Sequence, residues 1–294
     1  MTHKSGYVNI IGNPNVGKST LMNVLVGEKL SIITSKAQTT RHRILGIVNH
    51  DNYQIIFSDT PGIIHAPAYK MHEVMNSHIR TALIDADLII YVVDVADKVS
   101  HEENINRLKD AKLPLFVVLN KIDLSTQEDV ALLIDQWKLL LPEAKVFPIS
   151  AAHSFNTDGL MEMILDVLPE SPPYFPKDEL TDKSMRFFVS EIIREKILLH
   201  YKQEIPYSVE VAVDSYEESE KLIKIEAHLY VARESQKAII IGKNGAAIKR
   251  VGTDARIDME EFIGKKVFLQ LSVKVMKDWR DNETLLRRFG YETE

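Results

Sequence analysis

The sequence contains no cysteine. A disulfide framework, a thiolate-bound metal site and a cysteine nucleophile are therefore excluded, and a reducing compartment is expected. Long apolar runs are also missing: the longest, such as 88–93 and 113–119, fall well short of the roughly 18 residues that a membrane span needs. No leader with a charged and then an apolar region precedes them. We therefore expect a soluble, intracellular protein.

Charge of one sign is not in large excess either. The chain has 36 basic and 42 acidic residues, with a net charge of −6, which argues against a protein that coats nucleic acid nonspecifically. The deficit lies in residues 1–180, with 16 basic and 22 acidic residues, because 181–294 carry 20 of each. Any basic patch must therefore be local. The length of 294 residues, with 45% apolar and 27% charged content, indicates about two globular domains.

In residues 1–170, short apolar runs alternate with amphipathic stretches, which predicts a mostly parallel sheet covered on both faces. The predicted strands are Tyr7–Ile11, Ile44–Val48, Tyr53–Phe57, Leu88–Val93, Leu115–Leu119 and Lys145–Ile149. The predicted helices are Ser19–Val26, Met71–Ile84, Glu102–Lys109, Glu128–Leu140 and Leu160–Leu168. The second and third strands are too close in sequence for a crossover, so we expect them to form an antiparallel hairpin in a mixed sheet.

A proline-rich segment, 168–176, has four prolines in nine residues and predicts an extended, semi-rigid connector. We therefore divide the chain into a first domain (1–170), a linker (171–182) and a second domain (183–294). The second domain is predicted to be α+β, in the order helix, strand, strand, short helix, helix, strand. Its first two strands alternate cleanly, which indicates an antiparallel sheet with helices on one face.

A phosphate-binding loop is the most specific motif. The run Gly12-Asn-Pro-Asn-Val-Gly17-Lys18-Ser19 satisfies G-x-x-x-x-G-K-[ST], follows an apolar strand and precedes a helix. Its glycines allow backbone N–H groups to surround phosphates, and the helix N-terminus adds a favourable dipole. Lys18 is predicted to neutralise the β- and γ-phosphate oxygens, and Ser19 to bind Mg²⁺.

Two further motifs follow apolar strands. Asp59-Thr60-Pro61-Gly62 places a carboxylate near the metal and a glycine amide near the γ-phosphate. Asn120-Lys121-Ile122-Asp123 supplies an aspartate that accepts two hydrogen bonds from guanine, and we expect this carboxylate to be buried. Ser150-Ala151-Ala152, after the last strand of this domain, is predicted to contact the base through its backbone.

These motifs resemble the translation-factor-like family of Ras-type GTPases. The resemblance implies that 28–46 is switch I, that Thr40 is its Mg²⁺ ligand beside Ser19 and Asp59, with Thr39 as the alternative, and that Lys18, Thr40 and Gly62 are catalytic. Ile63 stands where relatives carry a water-positioning glutamine, so hydrolysis is expected to be slow or to align its water otherwise. The predicted nucleotide-binding residues are Gly12, Asn13, Pro14, Asn15, Val16, Gly17, Lys18, Ser19, Thr20, Asp59, Thr60, Pro61, Gly62, Ile63, Asn120, Lys121, Asp123, Ser150, Ala151 and Ala152.

Asn15 has two interpretations. In relatives with Asn-x-Gly-Lys-[ST], the side chain at this position resembles a ligand for K⁺. The alternative is a hydrogen bond that stabilises the loop, since asparagine favours turns. The switch segments 28–46 and 59–69 are polar or interrupted by proline, and we expect them to have few residues that fix them in a core.

A Gly-Lys-Asn-Gly turn lies in the second domain. Residues 233–250 carry five basic residues and one acid around it, and the order of elements resembles the type II KH arrangement, in which a GxxG loop binds single-stranded RNA. The predicted RNA-binding residues are Gly242, Lys243, Asn244, Gly245, Lys249 and Arg250.

A GTPase domain, a proline-rich linker and a type II KH domain together resemble a family of bacterial ribosome-assembly GTPases. The resemblance implies a GTP-hydrolysing switch that binds GTP, GDP and Mg²⁺, contacts small-subunit ribosomal RNA near its 3′ end, and assists maturation of the small ribosomal subunit. It also implies a cytoplasmic monomer that associates peripherally with the inner face of the cell membrane. The alternative is an RNA-binding module with a non-switching nucleotide domain, against which the intact motifs argue.

Overall fold

The computed structural model describes residues 3–97, 102–110 and 112–291. The chain forms two compact units. As far as they are described, the first consists of Met1–Ser31, Thr40–Ala66 and Met75–Asp182, and the second of Ile32–Thr39, Pro67–Val74 and Lys183–Glu294. Two short segments of the N-terminal half are thus grouped with the C-terminal unit. The division of the chain into domains at 170 and 183 stays a prediction.

A six-stranded sheet forms the centre of the first unit. Its strands are β1 (Lys4–Gly12), β2 (Ile44–His50), β3 (Tyr53–Asp59), β4 (Leu88–Asp94), β5 (Leu115–Asn120) and β6 (Lys145–Pro148), in the spatial order β2-β3-β1-β4-β5-β6. Neighbouring strands are parallel, except that β2 and β3 form an antiparallel hairpin around Asp51 and Asn52. The predicted mixed sheet is therefore confirmed. Because the other five strands are parallel, their carboxyl ends lie at one edge.

The helices that alternate with these strands are α1 (Lys18–Val26), α2 (Lys70–Ile84), α3 (Glu102–Asp110), α4 (Gln127–Leu140) and α5 (Thr157–Val167). Every residue of β5, and all of β4 except its last, is buried, as expected for strands covered on both faces. Among these helices the largest boundary difference is at α5, which starts three residues before the predicted Leu160. The apolar pattern begins at Leu160, whereas the helix begins directly after Asn156, whose φ is +62°.

The segment 169–182 is hydrogen-bonded to the rest of the first unit along its length. The fully buried side chain of Gln54 accepts hydrogen bonds from the backbone N–H groups of Tyr174 (2.7 Å) and Phe175 (2.9 Å), and donates one to the carbonyl oxygen of Phe175 (2.8 Å). Ile47 N–H donates to Leu180 O over 2.8 Å. The segment is extended, as its prolines predict.

The second unit contains α6 (Met185–His200), β7 (Glu210–Glu218), β8 (Leu222–Val231), α7 (Glu234–Ile241), α8 (Ala246–Ile263), β9 (Lys266–Val275) and α9 (Glu283–Arg288). Strands β7 and β8 are antiparallel, but β9 is parallel to β8. The expectation of a wholly antiparallel sheet is therefore wrong. The chain between β8 and β9 includes both α7 and α8, which is long enough for the crossover that a parallel pair requires.

Candidate functional site

The phosphate-binding loop lies between β1 and α1 and has two glycines that no other residue replaces without strain. Gly12 has φ +152°, and a Cβ atom added there would lie 2.4 Å from the carbonyl oxygen of Val92. Gly17 has φ +98°, and a Cβ atom added there would lie 2.2 Å from Nδ2 of Asn120. Both glycines therefore allow close backbone packing. Between them lie Asn13, Pro14, Asn15 and Val16, and the loop continues into α1 at Lys18, Ser19 and Thr20.

Lys18 is buried in the loop that it follows. Its Nζ donates hydrogen bonds to the carbonyl oxygens of Gly12 (3.1 Å) and Asn13 (2.8 Å). Burial lowers the pKa of Lys18 to about 8, partly opposed by the nearby charge of Asp59. Burial makes the charged form of Lys18 costly, and its hydrogen-bond partners are carbonyl oxygens alone. Binding of an anionic phosphate would offset this cost, so the position favours phosphate binding.

Three oxygen-bearing side chains meet beside the loop. Ser19 Oγ donates to Asp59 Oδ2 over 2.6 Å and lies 2.8 Å from Thr40 Oγ1, and Thr40 Oγ1 is 3.2 Å from Asp59 Oδ2. Asp59 is fully buried, which raises its pKa, and its Oδ1 has no hydrogen-bond partner in the described part of the chain. Hard oxygen donors around an incompletely paired carboxylate fit Mg²⁺. Ser19, Thr40 and Asp59 are therefore the residues that would hold it.

The neighbouring threonines face different partners. Thr39 Oγ1 donates to the carbonyl oxygen of Lys36 (2.6 Å) and lies 2.7 Å from Thr34 Oγ1. Thr40, in contrast, is buried beside Ser19 and Asp59. Of the two candidates that the sequence leaves open, the structure therefore places Thr40 near the predicted metal site.

The segment after β3 packs closely on the phosphate-binding loop. A Cβ atom added at Gly62 would lie 2.9 Å from Cα of Pro14, and the backbone nitrogen of Ile63 is 3.4 Å from the carbonyl oxygen of Gly12. Thr60 Oγ1 donates to the carbonyl oxygen of Ile10 over 2.9 Å. The side chain of Ile63 belongs to a buried apolar cluster, so it has neither the polar group nor the exposure to orient water.

Asn120 and Lys121, at the end of β5, hold neighbouring parts of the nucleotide site together by hydrogen bonds. Asn120 is buried, donates to the carbonyl oxygen of Val16 (2.9 Å) and accepts from the N–H group of Ala151 (2.9 Å). Lys121 donates to the carbonyl oxygen of Asn15 (2.8 Å) and to Asp94 Oδ2 (2.5 Å). These two side chains thus connect the phosphate-binding loop to the last residue of β4 and to the loop after β6.

Asp123 is more open than expected. Its side chain is 29% exposed instead of buried, because it follows β5 on a short 3₁₀ turn, Ile122–Leu124. Ser150 Oγ donates to Asp123 Oδ1 over 2.5 Å, which is the main reason that the pKa of Asp123 is lowered. The carboxylate is thus an ionised hydrogen-bond acceptor that the base of a nucleotide can reach. Ala151, which follows Ser150, is buried, and Ala152 is exposed.

Sequence reasoning missed two residues that shape this site. Asp94 pairs with Lys121, and the alignment of the ends of β4 and β5 places Asp94 opposite Asn120. Asn23 holds the start of switch I: its Oδ1 accepts from the N–H groups of Leu30 and Ser31, and its Nδ2 donates to Ser31 O. Asp94 could have been found from the expected pairing of β4 with β5, which places it beside the Asn120 motif. No motif singles out Asn23.

The switch I segment is also more firmly packed than its polar sequence suggests. Ser31, Ile32, Thr40 and Arg41 are each at most 7% exposed. The expectation that few residues fix this segment is therefore wrong. Burial here depends on long-range packing, which composition does not report.

The Gly-Lys-Asn-Gly turn joins α7 to α8 in the second unit. Gly242 has φ +71°, and a Cβ atom added there would lie 2.6 Å from the Cβ of Ala247, whereas a Cβ added at Gly245 would meet no other atom within 4 Å. Lys243, Asn244, Lys249 and Arg250 are all exposed. The turn therefore presents backbone and positive charge at the N-terminus of an 18-residue helix, which favours an anionic ligand.

The fold and the site define a P-loop GTPase that also carries a KH domain. Residues 7–121 match the family described as 50S ribosome-binding GTPase, and residues 204–280 match the KH domain. The chain is 48% identical over 292 residues to the GTPase Era of Syntrophus aciditrophicus, covering 98% of this chain and 95% of the relative. The chain belongs to the Era family of GTPases.

Other relatives extend the comparison. The chain is 46% identical over 296 residues to a chloroplastic ERA-like GTPase of Oryza sativa subsp. japonica, covering 98% of this chain and 70% of the relative. A crystal structure of Era in complex with MgGDPNP and nucleotides 1506–1542 of 16S ribosomal RNA has a TM-score of 0.94 and 40% identity, covering 99% and 100% of the two chains. A variant of Aquifex aeolicus Era bound to GDP·AlF4⁻ gives the same values.

Proposed function

We propose that this chain is a GTP-hydrolysing switch that binds small-subunit ribosomal RNA near its 3′ end and assists maturation of the small ribosomal subunit. The observation that carries this proposal is that one chain holds both the Ser19–Thr40–Asp59 cluster and the glycine turn at 242–245. Support comes from the near-complete likeness to an Era crystallised with MgGDPNP and a 16S ribosomal RNA fragment.

The nucleotide site would divide its work among the residues described above. Lys18 and the loop amides bind the phosphates, and Asp123 accepts from guanine. Ser19, Thr40 and Asp59 hold Mg²⁺, which neutralises developing charge on the phosphates. Ile63 is buried in apolar surroundings, so water is oriented by other groups and intrinsic hydrolysis is slow.

We also propose that Asn15 binds K⁺ next to the phosphates. Its φ of +64° and its exposed position place it on the outer side of the loop, and its carbonyl oxygen is held by Lys121. Replacing K⁺ by Na⁺ should then slow GTP turnover in the natural protein and have little effect in Asn15→Ala. Steady-state phosphate release in matched KCl and NaCl buffers measures this. The same rate in both salts would leave Asn15 with the loop-stabilising role.

RNA binding is the property that tests the second unit. Lys243→Glu should weaken binding of a single-stranded fragment from the 3′ end of small-subunit ribosomal RNA, because a carboxylate at the turn repels phosphate. Gly245→Asp should do the same. Space for its side chain is open at that position, whereas a side chain at Gly242 would clash with Ala247. Filter binding or fluorescence anisotropy gives the affinity, and GTP affinity should stay within about twofold.

Lys243→Gln is the matched control, since it removes the charge without reversing it and should have a smaller effect than Lys243→Glu. Unchanged RNA affinity in both Lys243→Glu and Gly245→Asp would contradict the assigned RNA surface. Measuring the natural protein with GDP and with a nonhydrolysable GTP analogue separates the switch from its alternative. Equal RNA affinities in the two states would indicate an RNA-binding module whose nucleotide domain does not switch.

We propose in addition that the protein is a cytoplasmic monomer that associates peripherally with the inner face of the cell membrane. None of the helices in the described part of the chain has both the length and the apolar character needed to cross a bilayer. Sedimentation velocity and vesicle flotation test the two parts of this proposal separately.

A further inference from the structure

A segment of switch I, Ile32–Thr39, is grouped with the C-terminal unit and contacts its first helix, α6. The Nζ of Lys36 donates hydrogen bonds to the carbonyl oxygens of Leu198 and Tyr201. These carbonyls lie at the C-terminal end of α6, where helix carbonyls lack intrahelical partners and the helix dipole favours a cation. Lys36 therefore fixes one point of switch I to the end of this helix.

Arg194 fixes a second point. This residue of α6 is 1% exposed, and its guanidinium group pairs with Glu191, which lies one turn earlier, over 2.7 Å from Nε to Oε1. The two terminal nitrogens of the same group donate to the carbonyl oxygens of Gln38 (3.3 Å) and Thr39. Gln38 has φ +56°, a conformation that is unfavourable for a residue other than glycine and that persists only when its surroundings hold it.

The hydrogen bond to Thr39 constrains Thr40 through the geometry of the peptide bond. The carbonyl group of Thr39 and the N–H group of Thr40 lie in one rigid plane. Once Arg194 fixes this plane, only two torsion angles of Thr40, its φ and its χ1, remain to determine where the Thr40 hydroxyl lies. That hydroxyl lies 2.8 Å from Ser19 Oγ and 3.2 Å from Asp59 Oδ2.

We propose that Arg194, a residue of the C-terminal unit, is a positioning residue for nucleotide recognition: it orients the Thr39–Thr40 peptide so that Thr40 reaches the Mg²⁺ site of the triphosphate state. Lys36 supports it by holding the preceding turn on α6. The inference rests on the proposed role of Thr40 as a ligand of Mg²⁺. Since the switch threonine acts in the state that contains a γ-phosphate, Arg194 contributes to binding of GTP and much less to binding of GDP.

The test compares nucleotide affinities of full-length variants. Arg194→Met alone leaves Glu191 buried without a partner, which destabilises a fold, so the double variant Arg194→Met/Glu191→Leu is measured beside it. Both should weaken binding of GDPNP in Mg²⁺ by about 5- to 150-fold, the usual range for coupled sites, with GDP affinity little changed. The Mg²⁺ concentration needed for half-maximal GDPNP binding should rise, and Lys36→Met should act in the same direction.

Two references make the result interpretable. Lys196→Met removes a different ion pair of α6, the partly buried one between Lys196 and Asp258, and should leave the ratio of GDPNP to GDP affinity unchanged. Thr40→Ala should lower this ratio as the Arg194 variants do.

A ratio that stays at the natural value in both Arg194 variants, or an equal loss of both nucleotides, would overturn the positioning role while Thr40→Ala still shows its effect. If Thr40→Ala leaves the ratio unchanged, the proposed Mg²⁺ site fails and this inference fails with it.

Discussion

Asp123→Asn should lose most of its affinity for GTP and gain affinity for xanthosine triphosphate. The ionised carboxylate accepts two hydrogen bonds from guanine, and bonds of this charged kind contribute about 1.5–3 kcal/mol each. Losing both corresponds to about 3–6 kcal/mol, or roughly 10²- to 10⁴-fold in affinity. The amide donates instead to the 2-oxo group of xanthine. Competition binding against a fluorescent nucleotide measures both affinities.

A matched control for this variant is Asp135→Asn, which makes the same charge change at an exposed position of α4 and should leave GTP affinity unchanged. The natural protein should also reject ATP, which cannot offer the two donors of guanine. Equal affinity for ATP and GTP would contradict the role of Asp123 directly.

Lys18→Met should abolish most GTP turnover. Removing one group that stabilises the charge developing in the transition state lowers the rate by about 10²- to 10³-fold, and we expect this loss when the buried cation of Lys18 is removed. Ser19→Ala should lower turnover by a similar factor, because it removes a ligand of Mg²⁺. Ile63→Ala is the contrasting variant: its side chain lies in the core and orients no water, so turnover should change by less than about tenfold. Single-turnover hydrolysis at saturating GTP compares the three. A larger loss in Ile63→Ala than in Lys18→Met would contradict these assignments.

The lowered pKa of Lys18 adds a pH dependence to this second prediction. In the free protein Lys18 loses its proton near pH 8, whereas bound phosphate favours the charged form. Nucleotide binding should therefore take up a proton, and affinity should fall as the pH rises above about 8. The sign for stability is opposite: the unfolded chain holds this proton to a higher pH, so the stability of the free protein should increase between about pH 8 and 10.5. Both effects should be absent in Lys18→Met.

The sequence predicts well where the structure depends on local pattern. The hairpin of β2 and β3 follows from a connection too short for a crossover, and the phosphate-binding loop follows from glycine spacing between a strand and a helix. Parallel pairing of β9 was missed, since strand direction depends on the whole crossover. Arg194 was missed for a similar reason: its partners, Gln38 and Thr39, lie more than 150 residues away, and a lone arginine in an amphipathic helix carries no local signal.

The linker segment has a consequence for the outer edge of the first sheet. Strand β2 lies at one of the two edges of this sheet, and an unprotected edge recruits strands from other chains. Here the N–H groups of Leu45 and Ile47 donate to Asp182 Oδ1 (3.0 Å) and Leu180 O (2.8 Å), and Gly46 forms a bridge with Thr181. The prolines upstream keep this cover from extending into a full strand that would itself present a new edge. A GTPase fragment that ends at 170 would therefore expose the edge of β2 and tend to associate through it, whereas a fragment that ends at 182 would keep this edge covered.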